Sequence, residues 1–140
     1  MLLGEFRHTL DPKGRIFLPA RWREELGEVV ILTKGLDRCL YVMPRARFAE
    51  LSERLAALPV NRRDNRDYSR ILFTGASEEA VDRQGRVIIP AHLREYAGLD
   101  KEAVLAGVAA RGEIWDRGSW LEYQSQVQER YEDIAEKIEL

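Results

Sequence analysis

The chain has 140 residues, 45% of them hydrophobic and 33% charged, with no apolar run near the ~20 residues that a membrane-spanning helix needs, so a soluble globular protein is expected. A single Cys39 excludes an internal disulfide, and the opening residues lack the long apolar stretch of a secretory signal, so a reducing cytoplasm is the expected setting. The net charge of −2 and a pI near 5.8 argue against a surface coated in nucleic-acid-binding charge, but residues 1–23 carry a surplus of three positive charges and residues 121–140 a surplus of four negative ones, and binding depends on the local field.

Gly4–Leu10 reads as a strand that runs into Asp11-Pro12-Lys13-Gly14-Arg15. Pro12 presets φ for the second position of a type I turn, Asp11 can accept hydrogen bonds from the turn amides, and Gly14 tolerates positive φ, so the chain is expected to reverse there as a hairpin. Ile16-Phe17-Leu18 is continuously apolar, which predicts a strand buried on both faces. Pro19-Ala20 opens a short helix with Pro at its first position, and Gly27 stops it. Strands follow at Val29–Leu32 and Leu40–Met43, then a helix from Pro44 with Phe48, Leu51, Leu55 and Leu58 at helical spacing. Cys39 reads as a small apolar strand residue.

Pro59–Phe73 begins as a connector and from about Asp64 could form a helix with Tyr68, Ile71 and Leu72 on one face. Its four arginines against two aspartates make a basic spot, for which a solvated helix face is the simplest account.

The chain then repeats itself. Asp11–Gly27 returns as Asp82–Gly98 at an offset of 71 residues, with eight of 17 positions identical: Asp11/Asp82, Gly14/Gly85, Arg15/Arg86, Pro19/Pro90, Ala20/Ala91, Arg23/Arg94, Glu24/Glu95 and Gly27/Gly98. Ser77–Val81 is the strand before the second turn and Val87-Ile88-Ile89 the apolar run after it. Strands at Ala103–Ala106 and Glu113–Trp115 precede a long terminal helix marked by Trp120, Leu121, Tyr123, Val127, Tyr131, Ile134 and Ile138. The organisation is a first repeat over 1–60, a linker and helix over 61–76, and a second repeat with its C-terminal helix over 77–140. Apolar runs needing cover on both faces exceed what one four-stranded lobe provides, so the repeats are expected to interleave.

No catalytic constellation is present. His8 and His92 lie far apart with no Cys or carboxylate cluster at metal-ligand spacing, which speaks against zinc. There is no Gly-x-Gly-x-x-Gly or Gly-Lys-Ser/Thr cradle, and no serine sits in a nucleophile motif. An enzyme, a metal, a cofactor and a small-molecule substrate are therefore not expected. The positive case rests on the two turns. Lys13 with Arg15, and Arg83 with Arg86, project from tight tips, and arginine there can reach phosphates or pair bidentately with guanine in a groove that admits a two-stranded ribbon. Arg7 and His8, on the strand leading to the first tip, are auxiliary candidates. The plainer alternative is that Arg15 and Arg86 bond Asp11 and Asp82 and merely brace the turns; composition does not choose between the two.

The twin Asp-x-x-Gly-Arg turns, each followed by an apolar strand, Pro-Ala and an Arg-Glu helix, together with Gly4–Leu10, Phe73-Thr74-Gly75-Ala76 and Ile114-Trp115-Asp116, resemble the MraZ family of bacterial transcriptional regulators over nearly the whole chain. The resemblance implies an α+β, mainly β fold: a SpoVT/AbrB-like swapped-hairpin β-barrel built from two pseudo-symmetric halves of one chain and flanked by helices. It implies a ring-shaped homo-oligomer that binds double-stranded DNA at short direct repeats upstream of the division and cell wall gene cluster, as a cytoplasmic, nucleoid-associated repressor. It maps DNA contact onto Arg15 and Arg86, with Lys13, Arg83 and Gln84 as neighbours and Asp11, Gly14, Asp82 and Gly85 as turn formers. The second loop lacks the Pro and Lys of the first. Two alternatives from other classes are an AbrB-like antitoxin and a ring scaffold for division proteins that never touches DNA.

Overall fold

A computed structural model describes residues 1–140. The first half contains β1 (Glu5–Thr9), β2 (Arg15–Phe17), α1 (Ala20–Leu26), β3 (Val29–Lys34), β4 (Leu40–Pro44), α2 (Arg45–Ala56) and α3 (Arg63–Gly75). The second contains β5 (Ser77–Ala80), β6 (Arg86–Ile88), α4 (Ala91–Ala97), β7 (Glu102–Val108), β8 (Arg111–Asp116), α5 (Arg117–Gln128) and α6 (Tyr131–Lys137). The fold is α+β, with antiparallel sheets and six helices. No helix is long and apolar enough to cross a membrane.

Six strands form one sheet in the order β1-β7-β8-β4-β3-β5, and β2 pairs with β6 in a separate two-stranded ribbon. The β3–β4 and β7–β8 hairpins stay within their own repeats and meet through β4 and β8, while the strands on either side of each turn are exchanged. β1 pairs with β7 and β5 with β3, each lending its edge to the other half, and Ile16 of β2 lies opposite Val87 of β6. The interleaving expected from the apolar runs is present. The sheet itself is open, with β1 and β5 at its edges and no closed barrel of hydrogen-bonded strands.

Three expectations change. The runs after the turns are not buried on both faces: Ile16, Leu18, Val87 and Ile89 lie in the core, while Phe17 is 39% and Ile88 48% exposed. The ribbon is an outermost layer, so its side chains alternate between core and exterior like those of any half-covered pair of strands. The terminal helix is two helices, because α5 ends at Gln128 and the chain restarts at Tyr131 after Arg130, whose φ of −99° and ψ of 10° are not helical. Pro19 and Pro90 also stand one position earlier than expected, at the N-caps rather than inside the helices; Gly27 and Gly98 end them at positive φ.

One face of the large sheet, together with the ribbon, α1 and α4, encloses the main core of 17 buried residues drawn from both halves. Trp22 on α1 is fully buried, meets Phe6 edge-to-face at 5.7 Å and donates its Nε1–H to the Leu3 carbonyl at 3.0 Å. It lies on Gly112 of β8, where an added Cβ would come within 2.7 Å of its ring. The opposite face carries a smaller cluster of Cys39, Val104 and Trp115, against which Tyr41 and Trp120 pack. Burial there pushes the Cys39 thiol up to about 12, so it stays an uncharged apolar filler.

Because Trp22 of the first repeat needs the bare backbone of Gly112 in the second, both positions are expected to report on the joint core. Trp22→Ala should cost about 3–5 kcal/mol through the cavity it leaves, and Gly112→Ala about 1–3 kcal/mol through overpacking. Urea unfolding measures both, and a near-neutral Gly112→Ala would contradict this packing.

Candidate nucleic-acid interface

Each Asp-x-x-Gly-Arg segment folds as a turn closed by its own aspartate. The Asp11 carbonyl accepts from Gly14 N–H at 2.9 Å, Asp11 N–H donates to the Arg15 carbonyl at 3.0 Å, and Gly14 has φ of +81°. The second turn repeats this with Gly85 N–H to the Asp82 carbonyl at 2.9 Å, Asp82 N–H to the Arg86 carbonyl at 2.8 Å, and φ of +85° at Gly85. The chain therefore reverses as expected, but beyond the closing pair the strands diverge: β1 joins the large sheet and β2 the ribbon, so neither turn tops an ordinary hairpin ladder.

The Asp11 carboxylate accepts the backbone N–H groups of Lys13 and Arg15, both at 2.9 Å, and Arg15 Nε–H at 2.5 Å. Asp82 accepts Gln84 N–H at 2.9 Å, Arg86 N–H at 2.8 Å and Arg86 Nε–H at 2.8 Å. These donors, led by the backbone N–H of Arg15 or Arg86, hold each carboxyl below the usual carboxylate range despite the opposing effect of partial burial.

The bracing role considered for Arg15 and Arg86 is thus real, but it occupies only Nε. No hydrogen bond is made by the Nη groups of either side chain. A guanidinium carries five N–H donors in a fixed fork, so four on each arginine are left to meet an anion or a base edge.

The register puts Arg15 opposite Ile88 and Phe17 opposite Arg86. Since Ile16 and Val87 point inward, these four side chains share the ribbon's outer face. The Arg86 guanidinium lies 5.9 Å from the Phe17 ring centroid, and His8 of β1 borders the same ring at 6.2 Å. Burial, and secondarily the Arg23 charge, lower the His8 pKa. Lys13, Arg83 and Gln84 are exposed at the tips flanking the ribbon. Arg7 is not gathered with them: alternation along β1 turns it to the sheet face opposite His8, where its neighbour in register is Val104.

Two arginines outside the turn motif, Arg23 and Arg94, hold the turns together. Leu18 N–H donates to the Gly85 carbonyl and Ile89 N–H to the Gly14 carbonyl, both at 2.9 Å, so each ribbon strand ends on the other repeat's turn. Arg23 reaches from α1 to the Leu18 carbonyl at 3.2 Å and lies against Gly85; Arg94 reaches from α4 to the Ile89 carbonyl at 2.9 Å and lies against Gly14. A Cβ on Gly85 would overlap the Arg23 guanidinium, and one on Gly14 would come within 2.9 Å of Arg94 Nε. Their signal was the identity of the two positions between repeats. No group of three or more His, Cys, Asp or Glu residues is arranged to hold a metal. His92 instead bonds the Gly75 carbonyl at 2.9 Å.

The two aspartates make the turns acid-sensitive. A carboxylate whose folded pKa is lowered contributes stability that is fully present above the ordinary value of about 4 and is lost as pH falls through the folded value. Asp11→Asn and Asp82→Asn are accordingly expected to be less stable than the parent at neutral pH, with the deficit shrinking as pH falls below the ordinary carboxylate range and through the lowered folded values. Thermal unfolding across pH checks this; a deficit that stays constant as the solution is acidified through that range would remove the charge from the account.

A family model described as "MraZ protein, putative antitoxin-like" matches the chain twice, over residues 1–71 and 72–139. Curated relatives include the "Transcriptional regulator MraZ" of Carboxydothermus hydrogenoformans, 52% identical, and those of Heliobacterium modesticaldum and Moorella thermoacetica, each 51% identical. Each alignment covers 99% of this chain and 96% of the relative. With both repeats matched and full-length relatives at half identity, the chain belongs to the MraZ family.

Proposed function

We propose that this chain is a sequence-specific DNA-binding transcriptional regulator, a repressor of the division and cell wall gene cluster that acts on short direct repeats in its own promoter. The observation that carries the reading is the outer face of the β2–β6 ribbon, where Arg15 and Arg86 stand with their Nη groups unengaged and Lys13, Arg83 and Gln84 flank them. A two-stranded ribbon is about 5 Å wide between strands and enters a major groove about 12 Å across. The curated relatives' name, transcriptional regulator, supports the same role. On this reading the exchanged strands are the swapped hairpins of an AbrB-like barrel, with repeats at 1–60 and 77–140 joined through 61–76.

One chain offers few cations, and each neutralised phosphate adds a modest, salt-dependent increment. A ring of identical chains on repeated operator boxes would supply affinity through effective concentration. The protein then works in the cytoplasm at the nucleoid, with double-stranded DNA and its own copies as partners and no cofactor, metal or small-molecule substrate.

A second reading, an antitoxin whose tail neutralises a toxin, draws on the wording of the family description and on Tyr131 and Ile138, exposed at 74% and 54% at the C-terminal end.

Binding of the purified chain to labelled DNA from its own upstream region, across a salt series, separates the readings. The parent should bind with a steep salt dependence. Arg15→Ala and Arg86→Ala should each lose about 10- to 100-fold, the value of a good bidentate base contact, with thermal midpoints recorded to exclude unfolding. Identical binding by all three proteins, or none by any, would reduce the arginines to braces and move the antitoxin and scaffold readings ahead.

A further inference from the structure

Phe17 and Ile88 are large apolar residues left 39% and 48% exposed in the middle of the face that carries Arg15 and Arg86. They occupy equivalent places in the two repeats, and both keep a large part of their apolar surface open. We propose that Phe17 and Ile88 contact thymine C5-methyl groups in the major groove, making them specificity-determining residues beside the arginines; this rests on the DNA-binding reading above.

The occupant follows from the company the pair keeps. Each apolar side chain faces an arginine directly across the ribbon, and both carboxylates nearby, Asp11 and Asp82, are already engaged in their turns. The face therefore offers cationic forks alternating with apolar surface, which suits an anionic duplex better than a neutral protein groove. Phosphates give Phe17 and Ile88 nothing to bind. The major groove has one apolar feature among its donors and acceptors, the thymine methyl, and apolar side chains are its usual partners.

Spacing agrees, because Phe17 and Ile88 are diagonal neighbours across the ribbon, a relation that sets residues about 7–8 Å apart, near two base-pair steps of ~3.4 Å. A wedge driven between bases is disfavoured by placement. Phe17 sits within a strand rather than at a projecting tip, and its ring is bordered by His8 at 6.2 Å and the Arg86 guanidinium at 5.9 Å. The ring is held ready for a surface contact.

The test removes the methyl from the DNA rather than the side chain from the protein. The upstream fragment is amplified with dUTP in place of dTTP, which keeps every phosphate and every hydrogen-bonding edge. The parent is expected to bind this fragment more weakly, by about fourfold for each methyl covered, the exchange value of one buried methylene. Phe17→Ser and Ile88→Ser should bind the normal fragment more weakly and lose most of the preference for thymine over deoxyuridine, whereas Arg15→Ala should weaken both fragments alike. Equal binding of the two fragments by the parent overturns the inference, and needs no variant to be read. So does a full thymine preference in both serine variants, including the case in which size exclusion shows that they have changed the oligomer. Failure of the parent to bind either fragment instead overturns the DNA-binding reading, and this inference falls with it.

Discussion

The structure depends on a reciprocal exchange: each repeat's turn is completed by the other repeat. Leu18 ends on Gly85 and Ile89 on Gly14, Arg23 lies against the second turn and Arg94 against the first. A backbone hydrogen bond of this kind adds only about 1 kcal/mol net, but its placement decides the architecture. With β1 on β7, β5 on β3 and β2 on β6, neither half keeps its edges satisfied alone. The core follows from the same exchange, since Trp22 needs Gly112 from the other half.

That exchange is also what turns two loops into a surface. Had each turn capped its own hairpin, the arginines would stand on separate tips with no fixed relation. Pairing β2 with β6 instead sets Arg15 and Arg86 at diagonal positions of one short ribbon, each clamped through Nε to an aspartate that is held in turn by backbone N–H groups. Under the proposed function, bracing and recognition are successive uses of one guanidinium. The brace fixes the direction in which the remaining donors point, so little side-chain freedom is left to lose when they meet a partner.

Much of this was legible in the residues because the signals were local. Asp, Gly and Arg at fixed offsets specify a turn, Gly27 and Gly98 stop helices, and eight matched positions reveal the duplication. Pairing partners were not legible, as register between segments about 70 residues apart is set by tertiary packing; the need for cover on the apolar runs pointed only to interleaving in general. Phe17 and Ile88 face outward, against the cover on both faces that their apolar runs predict. Apolar periodicity cannot distinguish a strand buried on both sides from one whose outer apolar residues are exposed. Arg23 and Arg94 were visible as matched positions, but a side chain lying over a glycine 62 residues away leaves no pattern in a single chain. Arg7 is four residues from the first turn and still on the face of β1 opposite His8, because the pleat reverses direction at every residue.

The two halves are alike in backbone and unlike in detail. Where the first turn offers Pro12 and Lys13, the second offers Arg83 and Gln84, and Phe17 is answered by Ile88. A ribbon assembled from two identical chains would look the same from either end, and a molecule lying along it could be turned round without penalty. Covalent fusion frees the halves to differ, so this ribbon has a head and a tail. Whatever lies along it is held in one orientation, and copies set side by side in a row can all point the same way.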